Sequence, residues 1–270
     1  MNRLVLLLVS SVTVSAGVIQ ERAAFPFFYF AFGDSYTTTS FNIYGEQPSL
    51  SSPLGNPPLG QGTYIPSFFD QVSYFFEPKY SSPHVAQWGS EDTIASVFFG
   101  INDCAVSYNL GIPGFVPAKT RVPQLMAAYF SLLDNLYSQG LRRFMLINIP
   151  PVDRSPLVLG FNDVQQAGLR NYYKVYNKAL QNGVKTWLRT HKDAYISLFD
   201  YNQWLTNVLD NPSDYGFPDS TCIDPSGQNC IWWNDYHVGS RLNDFLAQRL
   251  VVAMNALGYN GGIPVSGNYV

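Results

Sequence analysis

PFFYFAFGDSYTTT, Pro26 to Thr39, changes character at its midpoint. Pro26 to Phe32 is a continuous aromatic and apolar run, the pattern of a strand buried on both faces in a parallel sheet. Gly33 ends the run, and an acid and a hydroxyl, Asp34 and Ser35, follow at once. Ser35 therefore stands just past a strand end, where open α/β sheets bind their ligands. A loop or helix-capping serine would read the same way. Its role depends on partners elsewhere in the chain.

The same alternation continues downstream. TIASVFFG (Thr93 to Gly100) predicts a second buried strand, with Asn102 and Asp103 just beyond it. Val122, Leu125, Met126, Tyr129, Leu132, Leu133 and Leu136 recur at helical spacing. RRFMLINIP (Arg142 to Pro150) reads as a strand, Asn162 to Thr190 contains a long helix, and AYISLFD (Ala194 to Asp200) is a further strand. Leu242, Phe245, Leu246, Leu250 and Met254 mark a last helix, with His237 in the loop before it. This order predicts an α/β fold, a mostly parallel sheet covered by helices on both sides. Gln47 to Gly62, rich in Pro, Gly and Ser, reads as loop.

With 270 residues, 46% of them hydrophobic, the chain can build one substantial core. A net charge of −3 offers no broad basic surface and argues against nucleic acid as a partner. MNR followed by LVLLLVSSVTV and VSA predicts a signal peptide over residues 1–16, leaving a single domain over 17–270 and a secreted product. An uncleaved N-terminal anchor is the alternative. The apolar run is short for a membrane span and no later segment supplies one, so no stable membrane association is expected. Asn-linked glycan is not expected either, because Pro212 blocks the acceptor at Asn211. Cys222 and Cys230 flank a turn-rich loop and predict a disulfide, while Cys104 reads as a buried thiol. No cysteine or histidine cluster has metal-ligand spacing.

A serine hydroxyl needs a base to take its proton. A histidine does this near neutral pH, best with a third group fixing its tautomer. Ser35 and His237 both lie at strand-end loops and meet the topological requirement. Donors for a developing oxyanion are available from the Asn102 carboxamide and the Ser35 N–H, and Gly100 permits close backbone approach. Asp34 and Asp103 read as residues that organise their loops.

At these positions the chain resembles the GDSL, or SGNH, hydrolases. The signatures are Phe32-Gly33-Asp34-Ser35-Tyr36, then Gly100-Ile101-Asn102-Asp103, then Asn234-Asp235-Tyr236-His237. QPSLSSPLGNPP, INIPPVDRSP, LDNPSDYGF and WWNDYHVGS bring it nearer the fungal secreted acetylesterases of carbohydrate esterase family 16. The resemblance implies a three-layer, flavodoxin-like fold and a serine esterase working through an acyl-enzyme. It implies Ser35 as nucleophile, His237 as base and acid, and Asn102 with the Ser35 N–H as oxyanion donors. It implies no metal or organic cofactor. The expected substrate is an acylated small molecule or oligosaccharide, chiefly acetylated, and the expected state is a monomer.

The pattern departs from the family in three places. The carboxylate usually found three residues before the histidine is Asn234 here, so Asp235 is the expected carboxylate, with Asn234 or a carbonyl as the alternative orienting group. Val238 replaces a proline, which predicts a slightly looser histidine loop. Most consequentially, a second-strand block bearing a glycine oxyanion donor is absent near Tyr64–Gln71. The expected sheet is one strand short, with unpaired edges or a rearranged order. An incomplete gene product and a diverged, weakened hydrolase both explain this. The competing functional reading is an inactive, carbohydrate-binding relative. Asp153 and Arg154 border the cleft or brace a loop, and Trp232 and Trp233 stack on sugar or pack the histidine loop.

Overall fold

The computed structural model describes residues 28–39, 41–47, 65–81, 87–108 and 115–259. The signal-peptide expectation over 1–16 lies outside them, as does most of the Gln47–Gly62 loop.

Among the described residues, four strands form one parallel sheet in the order β1-β2-β3-β4. They are β1 (Phe28–Gly33), β2 (Thr93–Phe98), β3 (Arg143–Ile147) and β4 (Tyr195–Phe199). A flavodoxin-like sheet runs 2-1-3-4-5. Removing its second strand leaves the other four in sequence order, which is the order observed. Among the described residues the loss therefore leaves the sheet contiguous and puts β1 at an edge. No rearrangement is needed.

Both sides of the sheet carry helices. Phe30 and Phe32 point to the side covered by α1 (Phe68–Asp70), a π-helical turn (Gln71–Phe76) and α2 (Glu77–Tyr80). Three more helices belong to this part of the molecule: α3 (Ile101–Tyr108), α4 (Ala118–Ser138) and α6 (Asp163–Trp187), with α4 and α6 packed together. Helix α6 starts with a capping box in which Asn162 and Gln165 satisfy each other's amides. The predicted stripe on α4 is buried at Val122, Met126, Tyr129, Leu133 and Leu136. The short α5 (Pro156–Leu159) follows β3, and α7 (Tyr201–Asp210) follows β4.

On the opposite side lies α8 (Ser240–Asn255), whose apolar stripe is fully buried only at Leu242. Phe245, Leu246 and Leu250 are half-buried, and Tyr29 and Ala31 of β1 are exposed. The expectation that β1 is buried on both faces is corrected here. Strand β2, paired on both sides, is buried at every residue, while edge strand β1 is covered mainly through Phe30 and Phe32. None of the helices among the described residues is long and apolar enough to cross a membrane.

Candidate active site

Parallel pairing sets Gly33 beside Phe98, so the chain leaves β1 and β2 side by side. After Gly33 it turns tightly. The Asp34 carbonyl accepts the Thr37 and Thr38 N–H groups, and Asp34 Oδ1 accepts the Tyr36 N–H at 3.0 Å. A Cβ on Gly33 would lie 2.3 Å from Thr37 Oγ1, which is why glycine ends the strand. Gly100 makes the matching turn after β2 at φ 128°, with the Tyr176 ring against its missing Cβ. Ile101 then opens α3, and Asn102 follows in its first turn, exposed, with no side-chain hydrogen bond among the described residues.

His237 arrives from the other end of the chain. Trp232 and Val238 form an antiparallel bridge around it, supported by Trp233 N–H to His237 C=O at 2.8 Å and Gly239 N–H to Ile231 C=O at 2.8 Å. The Cys222–Cys230 disulfide closes the loop just before this bridge. Asp224, inside that loop, accepts hydrogen bonds from Ser226 and Asn229, which hold its carboxyl well below the usual range. Val238 is buried, and the loop is held by these flanking bonds.

Across 202 positions of sequence, His237 Nε2 meets Ser35 Oγ at 2.9 Å. The group at Nδ1 is Asn234, whose Oδ1 lies 3.3 Å away. Asp235 is exposed, and its main-chain carbonyl accepts the Leu157 N–H of α5. The expected carboxylate partner is thus corrected. The physical reason is local: Asn234 Oδ1 also accepts the Tyr236 N–H at 2.9 Å and the His237 N–H at 2.6 Å. This turn aims the Asn234 oxygen at the imidazole, while Asp235 faces outward. Because two main-chain donors identify the oxygen, Nδ1 facing it carries the proton. Nε2 is then unprotonated and able to accept from Ser35. Partial burial holds the His237 pKa below its ordinary value, and the nearby Asp235 charge opposes this more weakly.

Two buried groups flank the turn. Asp34 is buried, and its Oδ2 has no hydrogen-bond partner among the described residues. Burial pushes its carboxyl up to about 6, with the Asp103 charge adding to the shift. Cys104 is a buried free thiol pushed far up by burial, so it is not a nucleophile at neutral pH. No metal-binding cluster occurs among the described residues.

Other expectations resolve simply. Asp153 pairs with Arg170 at 2.7 Å and Arg154 with Asp210 at 2.6 Å, so both brace the loop after β3. Trp232 is fully buried packing. Trp233 is half-buried, with its ring centroid 6.4 Å from that of His237. Two contacts were not foreseen. The Tyr36 hydroxyl donates to the Tyr236 carbonyl, tying the serine turn to the histidine loop. Gln71 bonds the main chain of Gly33. Neither side chain sits in a recognisable spacing pattern.

No family model matches the chain. An acetylesterase of Thermothelomyces thermophilus is 31% identical over 265 residues, covering 82% of this chain and 86% of its own length. That alignment is longer than the stretch of this chain it covers, so the relative has residues with no counterpart here. A GDSL esterase/lipase of Arabidopsis thaliana is 24% identical over 202 residues, spanning 67% of this chain and 53% of that protein. Among solved structures, an acetyl-xylooligosaccharide esterase of Geobacillus superposes loosely, with a TM-score of 0.44 and 13% identity over 89% of this chain and 96% of that one.

Proposed function

This chain belongs to the GDSL, or SGNH, family of ester hydrolases, and we propose that it is a secreted serine esterase that removes acetyl groups from carbohydrates. The observation that carries this reading is the 2.9 Å contact between Ser35 Oγ and His237 Nε2.

Ser35 Oγ attacks the ester carbonyl carbon while its proton passes to His237 Nε2. The carbonyl oxygen becomes an oxyanion, held by the Ser35 N–H and the Asn102 carboxamide. The intermediate collapses, the C–O bond to the sugar breaks, and His237 returns the proton to the leaving oxygen. Water then attacks the acetyl-serine with His237 as base, releasing acetate and restoring Ser35. Asn234 orients the imidazole, and Gly33, Asp34, Gly100 and Asp103 shape the two strand-end turns. The Cys222–Cys230 disulfide fits an oxidising compartment, and the acetyl preference follows the Thermothelomyces relative.

A second reading has one specific observation behind it, the four-stranded sheet. Without the glycine donor of a second strand, turnover falls by about 10²–10³, leaving a weakened enzyme or a carbohydrate-binding relative. The test compares release of acetate from an acetylated xylo-oligosaccharide by this chain and by Ser35→Ala, both verified as folded. A rate abolished by the substitution supports the proposal. Equal rates sink it, and saturable sugar binding without turnover favours the second reading.

A further inference from the structure

We infer that Gln71 is a positioning residue for the nucleophile turn, its carboxamide standing in for a neighbouring strand that β1 lacks among the described residues. The inference rests on the proposed role of Ser35.

In a parallel pair, alternate residues turn their main-chain groups to one neighbour or the other. Phe28 donates its N–H to Asp92 at the start of β2. By alternation, Gly33 turns its N–H and C=O to the open side of β1. Gln71 meets both: Gly33 N–H donates to Oε1 at 3.1 Å, and Nε2 donates to the Gly33 carbonyl at 2.7 Å. One primary amide thus makes the reciprocal pair of bonds that a single residue of an antiparallel partner strand would make. Nε2 also donates to the Pro66 carbonyl at 2.9 Å, so the amide is fixed from a third direction.

The element carrying Gln71 is itself anchored. Ser67 and Asp70 form a capping box at the start of α1. Val72 and Phe76 are buried, and the Phe76 ring stands 5.0 Å from Phe30 and 5.5 Å from Phe32. Gln71 opens the π-helical turn, a widened geometry that recurs at functional sites. The helix is held against β1 by its aromatics while Gln71 reaches the strand end.

Gly33 lies two residues before Ser35. Its peptide groups set the start of the turn that aims Ser35 Oγ at His237 and the Ser35 N–H at the oxyanion. Without Gln71 those groups lose their partner among the described residues, and the turn gains freedom where misplacement is costly. Displacements on the order of 1 Å cost about 10²-fold in rate.

Gln71→Leu removes both bonds to Gly33, and Gln71→Glu keeps the acceptor but loses the donor. The expected result for Gln71→Leu is a fall in kcat of about 10- to 100-fold with KM within about twofold. Gln71→Glu should lie between it and the parent. Where turnover is slow, the rate of Ser35 labelling by a fluorophosphonate replaces kcat. A role in packing alone would lower Tm and leave kcat unchanged well below it. Parental kcat in either folded variant overturns the inference. Should Gln71→Leu fail to fold, Gln71→Glu carries the kinetic test, and hydrogen exchange in the parent carries the structural one. There the Gly33 amide should be protected. Exchange as fast as an open loop amide also overturns the inference. Ser35→Ala run alongside separates the two ideas: if it keeps parental activity, the nucleophile assignment fails, whereas Gly33 exchange reports on the Gln71 clamp alone.

Discussion

Replacing Asn234 by aspartate should convert the histidine's neutral partner into a charged one without moving an atom. Asn234 Oδ1 accepts from the Tyr236 and His237 N–H groups and lies 3.3 Å from Nδ1. A carboxylate makes the same three contacts. In a serine protease whose aspartate becomes asparagine, much of the loss comes from the wrong histidine tautomer. Here the two main-chain donors already impose the right one, so the gain on going to aspartate is electrostatic only. A unit charge 3.3 Å from the imidazolium gives about 5 kcal/mol at an effective dielectric of 20. His237 is half-exposed, and the new carboxylate must itself be desolvated, so about 1.4–2.8 kcal/mol survives. That corresponds to a rise of about one to two pH units in the His237 pKa.

The sign follows from the role. His237 acts as base only when neutral, and burial now holds its pKa below the ordinary histidine value. In Asn234→Asp the acid limb of kcat/KM should move to higher pH by about one to two units. The plateau above it should rise by about tenfold, because the charge stabilises the imidazolium of the transition state. Asp235→Asn is the control. Asp235 acts as a more distant charge, so removing it should lower the limb by much less. An unmoved limb in Asn234→Asp would refute the assignment, as would a limb in Asp235→Asn displaced by as much as one to two units.

Two further outcomes test the strand-end turns. Gly100→Ala combines a backbone at φ 128° with a Cβ 2.4 Å from the Tyr176 ring, whose hydroxyl is held on the Phe99 carbonyl at 2.9 Å. Strain and overpacking together predict a loss of about 2–5 kcal/mol in denaturant unfolding, and an unchanged midpoint would contradict the geometry. Asp34→Asn should remove a pH dependence. The folded carboxyl titrates at about 6 against an ordinary value of 3.8. Its contribution is therefore fully present below the unfolded pKa and is lost as pH rises through 6. The parent should lose up to about 3 kcal/mol relative to Asp34→Asn between pH 4 and 6.5, and parallel stability curves across that range would refute the burial argument.

The strands, the long helices and the order of the three signatures could be read from the chain because each depends on local pattern. TIASVFFG is a strand by its unbroken apolar run, and α6 is a helix by its spacing and its Asn162 cap. The absent second-strand block was legible too, as a gap between Ser35 and Gly100. Its consequence was not. Which strand becomes an edge depends on spatial order, and a parallel sheet need not follow chain order. Tyr29 and Ala31 are exposed for that reason, although their sequence reads as core.

Sequence alone thus determined the α/β class, the family, and the placing of Ser35, Asn102 and His237 just beyond strand ends or in the loop before the last helix. Those follow from periodicity, turn residues and short motifs. Tertiary structure decided that Asn234 and not Asp235 faces His237, because a one-residue difference within a turn reverses the direction of a side chain. It also decided that Gln71 closes the open side of Gly33. A glutamine becomes a substitute for a strand only when packing elsewhere, here Phe76 on Phe30 and Phe32, delivers its amide to an unpaired edge.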